Sequence, residues 1–79
     1  MKFAREVIDL MAPFPGRPFR MQQLVRYVVG GRPLNEQSTK AARKAVARVL
    51  DHLNDSGHVQ VVAAPTRGGF AQYRWIARQ

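Results

Sequence analysis

The sequence lacks cysteine altogether, and this absence excludes a disulfide framework, a thiolate zinc site and a cysteine nucleophile. Stability must therefore come from packing and from local structure. Long apolar runs are missing as well, because Arg5, Glu6 and Asp9 interrupt the apolar start and no segment approaches the ~20 apolar residues of a membrane span. We expect a mature cytoplasmic chain with no signal peptide and no membrane partner.

Acidic residues are scarce in this chain. Five Asp and Glu stand against 13 Lys and Arg, which gives a formal net charge of +8. Neither residues 10–35 nor residues 56–79 contain a carboxylate. A surface of this kind favours a polyanionic partner, and for a nucleic acid it supplies the salt-sensitive, sequence-independent part of affinity. The simpler alternative is a basic protein whose charges are only solvated.

The 79 residues are predicted to form one domain, residues 1–79, of the α+β class. Residues 2–12 and 21–29 each repeat apolar side chains at helical spacing, which predicts two short amphipathic helices. Three prolines and a glycine within residues 13–18 forbid helix between them. We expect Phe14 and Phe19 to anchor this loop in the core.

A third and longer helix is predicted over residues 38–56. It contains neither glycine nor proline, and either Ser38 or Asn35 can cap its first turn. Gly57 is expected to end it. Its core-facing positions are Ala42, Ala45, Val46, Val49, Leu50 and Leu53.

The second and third helices are separated by a glycine-containing turn, which is the helix-turn-helix arrangement. Gly30 and Gly31 end the second helix, and Leu34 is expected to fix the turn to the core.

After Gly57 the period changes from helical to alternating, and this predicts a two-stranded antiparallel hairpin over residues 59–64 and 70–76. Tyr73 and Trp75 share one face, which we expect to be buried opposite Val59 and Val61. The connection over residues 65–69 has turn chemistry and carries Arg67 at its tip.

This order of three helices and a hairpin resembles the winged helix-turn-helix superfamily of DNA-binding domains. Leu50, Leu53, Gly57 and Val59 are similar to the family's L-x-x-L-x-x-x-G-x-V passage from recognition helix to wing. The resemblance implies binding of double-stranded DNA and a role in transcription regulation, as in small stand-alone regulators of phages. Two departures are that Arg20 occupies the usual cap position of the second helix and that no helix follows the wing.

Residues carried over from the family pattern have four expected placements. The start of the third helix would enter the major groove, where arginine and lysine donate to guanine and glutamine pairs with adenine. Arg48 would lie at the groove edge, and Arg67 would reach the minor groove or a phosphate. The predicted major-groove residues are Gln37, Ser38, Thr39, Lys40, Arg43 and Lys44. The predicted backbone contacts at the start of the second helix are Arg20, Gln22 and Gln23.

Catalysis has little support in the sequence. His52 and His58 lie six residues apart beside Asp51 and Asp55, a spacing that matches no metal motif. We therefore expect no enzyme activity, no metal and no cofactor.

The sequence also allows other partners. The scaffold could dock on an acidic protein as an interaction module. It could also bind single-stranded nucleic acid through stacking on Tyr73 and Trp75, although a core role for both rings is favoured. Phe3, Met11 or Phe70 could make a weak homodimer contact, and each is equally plausible as a core residue.

Overall fold

The computed structural model describes residues 2–30, 35–62 and 69–77 of the chain. These residues form an α+β architecture with three helices and a three-stranded antiparallel sheet. In chain order the elements are α1 (Ala4–Met11), β1 (Phe19–Arg20), α2 (Met21–Val28), α3 (Glu36–Asp55), β2 (Val59–Val62) and β3 (Gln72–Trp75). None of the helices in this described part combines the length and the apolar content that crossing a membrane requires.

Helix α3 begins at Glu36, slightly before the predicted start, because Asn35 is its cap. The Asn35 backbone is extended, and its Oδ1 accepts a 2.7 Å hydrogen bond from the backbone N–H of Ser38. Of the two predicted cap residues, Asn35 is therefore the right one. At the other end Gly57 adopts a φ of 83°, in the left-handed region that glycine tolerates, and the helix ends before it as predicted.

The predicted apolar stripe of α3 is confirmed as its core-facing side. All of its members are buried except Ala45, which is half-buried. Each of the other elements except β3 contributes at least one buried residue to the same cluster. Those residues are Val7 and Met11 of α1, Phe19 of β1, Leu24 and Val25 of α2, and Val59 of β2.

The predicted hairpin is not the whole sheet, because a third strand that the sequence did not predict pairs with it. Strand β1 pairs antiparallel with β3, with Phe19 opposite Tyr73 and Arg20 opposite Gln72, and the strand order is β1-β3-β2. A strand of two residues is too short to show an alternating period, so it cannot be distinguished from loop in sequence. The tertiary pairing with β3 defines it.

The predicted hairpin forms, with Val59 opposite Trp75 and Val61 opposite Tyr73. On its predicted buried face, only Val61 departs from the prediction. Val59 is buried, and Tyr73 and Trp75 are half-buried and pack against the core, whereas Val61 is 44% exposed.

Phe14 does not anchor the loop as expected. Its backbone N–H donates to the carbonyl oxygen of Met11 at 3.0 Å, and the ring stays 46% exposed. Phe19 alone enters the core, because strand pairing directs it inward. The guanidinium of Arg17 lies 5.4 Å from the Phe14 ring centre and 5.5 Å from that of Phe19, outside the core.

Both short helices form within their predicted ranges. Helix α1 is shorter than residues 2–12 at both ends, and α2 ends at Val28 with Gly30 following at a φ of 67°. The expected core anchor Leu34 and the expected hairpin-tip residue Arg67 lie outside the described residues.

Candidate nucleic-acid interface

An open groove lies between the start of α2, the exposed side of α3 and β3, with a volume of about 720 Å³. We call it the cationic groove. It brings together five residues that the sequence proposed as DNA contacts, namely Arg20, Gln22, Thr39, Arg43 and Lys44. The remaining lining residues are Met21, Ala47, Phe70, Ala71 and Tyr73.

Two features of local structure place these side chains around one space. Along α3, Thr39, Arg43 and Ala47 are four residues apart and therefore lie on one stripe of the helix. Across the sheet, the pairing of Arg20 with Gln72 puts the start of α2 beside β3. Strand β1, which sequence reasoning did not find, is thus the element that joins the two halves of the groove.

The charge of the groove has one sign. Among the described residues, its lining has three cations, Arg20, Arg43 and Lys44, and no carboxylate. All three of these side chains belong to exposed residues. Cationic groups concentrated in a concave surface raise the local concentration of an anionic partner and speed its association.

A hydrogen bond from a side chain compensates for the unusual cap of α2. Oε1 of Gln23 accepts a 2.8 Å hydrogen bond from the backbone N–H of Arg20. This is the reciprocal half of a capping box, and the arginine cannot supply the other half because its side chain has no acceptor. Gln23 therefore has a structural task, and it does not line the cationic groove.

The hydroxyl group of Thr39 is engaged within the helix. Oγ1 donates to the carbonyl oxygen of Asn35 at 2.9 Å. Its oxygen can still accept a hydrogen bond, but its proton is not directed at the groove. A phosphate in the groove is therefore expected to be held by the cations rather than by this hydroxyl group.

Other predicted contacts lie outside the cationic groove. Gln37, Ser38 and Lys40 are exposed at the start of α3, and Nζ of Lys40 lies 3.7 Å from Oε1 of Glu36. Arg48 is exposed farther along the same helix and does not line the groove.

Sequence reasoning missed the aromatic side of the groove. Phe70 was considered as core or as a homodimer contact, yet it is 70% exposed and lines the groove with Tyr73. The alternating pattern of residues 70–76 indicates this exposure, because Phe70 is an even number of residues from the exposed Arg74 and such positions share one face of an alternating segment. Trp75 lies elsewhere and stacks on His58, with ring centres 5.6 Å apart. Tyr73 and Trp75 therefore do not form one stacking platform.

The two histidines line a separate cleft of about 500 Å³ between α1, α3 and the end of the hairpin. Ser56 and Trp75 line it with His52 and His58. Among the described residues, no three histidine, cysteine or acidic side chains are grouped in a way that could hold a metal ion.

No protein-family model, curated protein or solved structure matches the chain. The chemistry of the cationic groove must therefore identify its ligand. Guanidinium and ammonium groups bind phosphate through charge-assisted hydrogen bonds, with arginine offering two parallel donors. An open groove with three such groups suits an extended phosphate backbone.

Proposed function

We propose that the chain binds double-stranded DNA as a transcription regulator and has a winged helix-turn-helix fold. The exposed start of α3 enters the major groove, and the cationic groove holds the neighbouring phosphate backbone. One observation carries this proposal. Arg20 of the α2 start converges with Arg43 and Lys44 of α3 on a groove whose lining, within the part of the chain that the structure describes, has no carboxylate.

The order of the elements supports the winged-helix part of the proposal. Helices α2 and α3 are consecutive, and the β2–β3 hairpin follows them. The additional strand β1 is compatible with this arrangement because it pairs with the edge of β3 that β2 does not occupy.

Base reading is assigned to the exposed start of α3. Gln37, Lys40 and Arg43 are exposed there, and the major groove is wide enough to admit a helix. Arginine and lysine recognise guanine, and glutamine recognises adenine. Arg20 and Lys44 are assigned to phosphates, which fix the position of the protein without reading sequence.

The test is a pair of substitutions that removes two positive charges from the groove, Arg43→Gln with Lys44→Gln. Duplex affinity is measured by fluorescence anisotropy over a series of salt concentrations. Losing the Lys44 phosphate contact should reduce the steepness of the salt dependence by about 1 on the double-logarithmic plot, and losing the Arg43 base contact should weaken binding further.

The matched control is Lys2→Gln with Arg5→Gln, near the start of the chain. It removes the same charge from exposed residues outside the groove. It should leave the salt dependence nearly unchanged. Equal losses from the two pairs would mean that only net charge matters and would refute the proposed interface. Stoichiometric recovery of an acidic protein, without DNA retardation at low salt, would favour the protein-docking alternative.

A further inference from the structure

A second groove adjoins the first and has no assigned role. Its volume is about 780 Å³, and it shares Arg20 and Gln22 with the cationic groove. We call it the tyrosine groove. Its polar and aromatic lining consists of Arg20, Gln22, Gln23, Arg26, Tyr27 and Gln72, over an apolar floor that includes Phe19.

Helical spacing aligns the side chains of this groove. Gln22 and Arg26 are four residues apart on α2, and so are Gln23 and Tyr27. Both stripes line the groove, so a guanidinium group and an aromatic ring border the same space at its far end. Over residues 2–30, 35–62 and 69–77, this lining contains no carboxylate either.

No contact among the described residues gives Tyr27 or Arg26 a structural task. The tyrosine is 49% exposed, and within the described residues neither side chain makes a hydrogen bond or an ion pair. An exposed aromatic ring beside a cation is the combination that binds nucleic-acid strands with unpaired bases, because the ring stacks on a base while the cation binds phosphate.

We infer that the tyrosine groove binds an unpaired DNA strand that continues from a duplex held at the cationic groove. Tyr27 stacks on a base of this strand, and Arg20 and Arg26 bind its phosphates. The inference rests on the proposed function, because Arg20 and Gln22 belong to both grooves and the duplex delivers the strand to them.

Duplex DNA offers no base to Tyr27, because its base faces are covered by their neighbours in the stack. An unpaired strand is flexible and exposes those faces to Tyr27.

Three kinds of DNA molecule test the inference by fluorescence anisotropy at one salt concentration. They are a blunt duplex, the same duplex with a tail of about eight thymidines, and the same duplex with an abasic tail of that length. Tails are placed at the 5′ end in one set and at the 3′ end in another. The thymidine tail on one of these ends should tighten binding more than the abasic tail, since only the former offers a base to stack.

The substitution Tyr27→Leu should reduce the gain from the thymidine tail by about five-fold or more, while Tyr27→Phe should keep it. Leucine is a good helix former at an exposed helical position, so the variant is expected to fold. Arg26→Gln should reduce the gain from both tails. Arg5→Gln, which removes the same charge from α1, should not.

Four outcomes overturn the inference. Equal affinity for blunt and tailed duplexes does so and leaves the proposed function intact. Equal gains from thymidine and abasic tails show that no base is stacked. A polyglutamate peptide that displaces the tail as well as an oligothymidylate does points to an acidic protein ligand. Failure to bind the blunt duplex refutes the proposed function itself, and the inference with it.

Discussion

Oε1 of Gln23 and the backbone N–H of Arg20 are joined by a 2.8 Å hydrogen bond that closes the first turn of α2. Arg20 is at once the last residue of β1 and the cap of this helix, with φ and ψ of −93° and 154°. Its side chain also lines both grooves. The hydrogen bond therefore stabilises the junction that orients the guanidinium shared by the two proposed ligand surfaces.

Substitution Gln23→Ala should lower the free energy of unfolding by about 1 kcal/mol, because it leaves a helix N-terminal donor without its side-chain partner. Gln23→Glu should preserve stability, since a carboxylate accepts the same bond and favours the positive end of the helix dipole. Urea denaturation measures both. Gln22→Ala, at the exposed neighbouring position, is the control and should change stability by less than about 0.5 kcal/mol. Similar losses at the two positions would show that the hydrogen bond contributes nothing.

At the start of α3, Asn35→Ala should cost about 1 kcal/mol of stability, because Asn35 Oδ1 caps the Ser38 N–H. Asn35→Asp should retain the cap. Thermal unfolding followed by circular dichroism gives the comparison, with Gln37→Ala as the exposed control in the same turn. If Ser38→Ala proved as costly as Asn35→Ala, the helix would instead use the serine that the sequence also allowed.

How much the sequence could predict depended on the length of each periodic signal. The six apolar positions of α3 repeat over several turns, so the helix and its buried face followed directly from spacing. Strand β1 has two residues and exists through its pairing with β3, which no local pattern reports. The cationic groove depends on that pairing. Its α3 residues were therefore predictable, whereas their closeness to Phe70 and Tyr73 was not.

The two loop phenylalanines, which looked equivalent in sequence, should behave differently on truncation. Phe19→Ala should destabilise the protein by about 3 to 5 kcal/mol, because the ring is only 4% exposed and its loss leaves a cavity. Phe14→Ala should cost much less, since its ring is already largely in water. Chemical denaturation of the two variants under identical conditions measures the difference. Comparable losses would mean that Phe14 is buried in solution.

Glu36 places a carboxylate at the start of α3, the part of the helix that is proposed to enter the major groove. The carboxylate is exposed to solvent, and its Oε1 lies 3.7 Å from Nζ of Lys40. Neutralising it with Glu36→Gln should raise affinity for a random-sequence duplex by about two- to five-fold at low salt, because one repulsion with phosphate disappears and Lys40 loses its competing partner. Added salt should shrink this gain, since the interaction is screened. The control Glu6→Gln removes the same charge from an exposed position on α1. Equal gains from both variants would reduce the effect to net charge, and no gain from Glu36→Gln would place the start of α3 away from DNA.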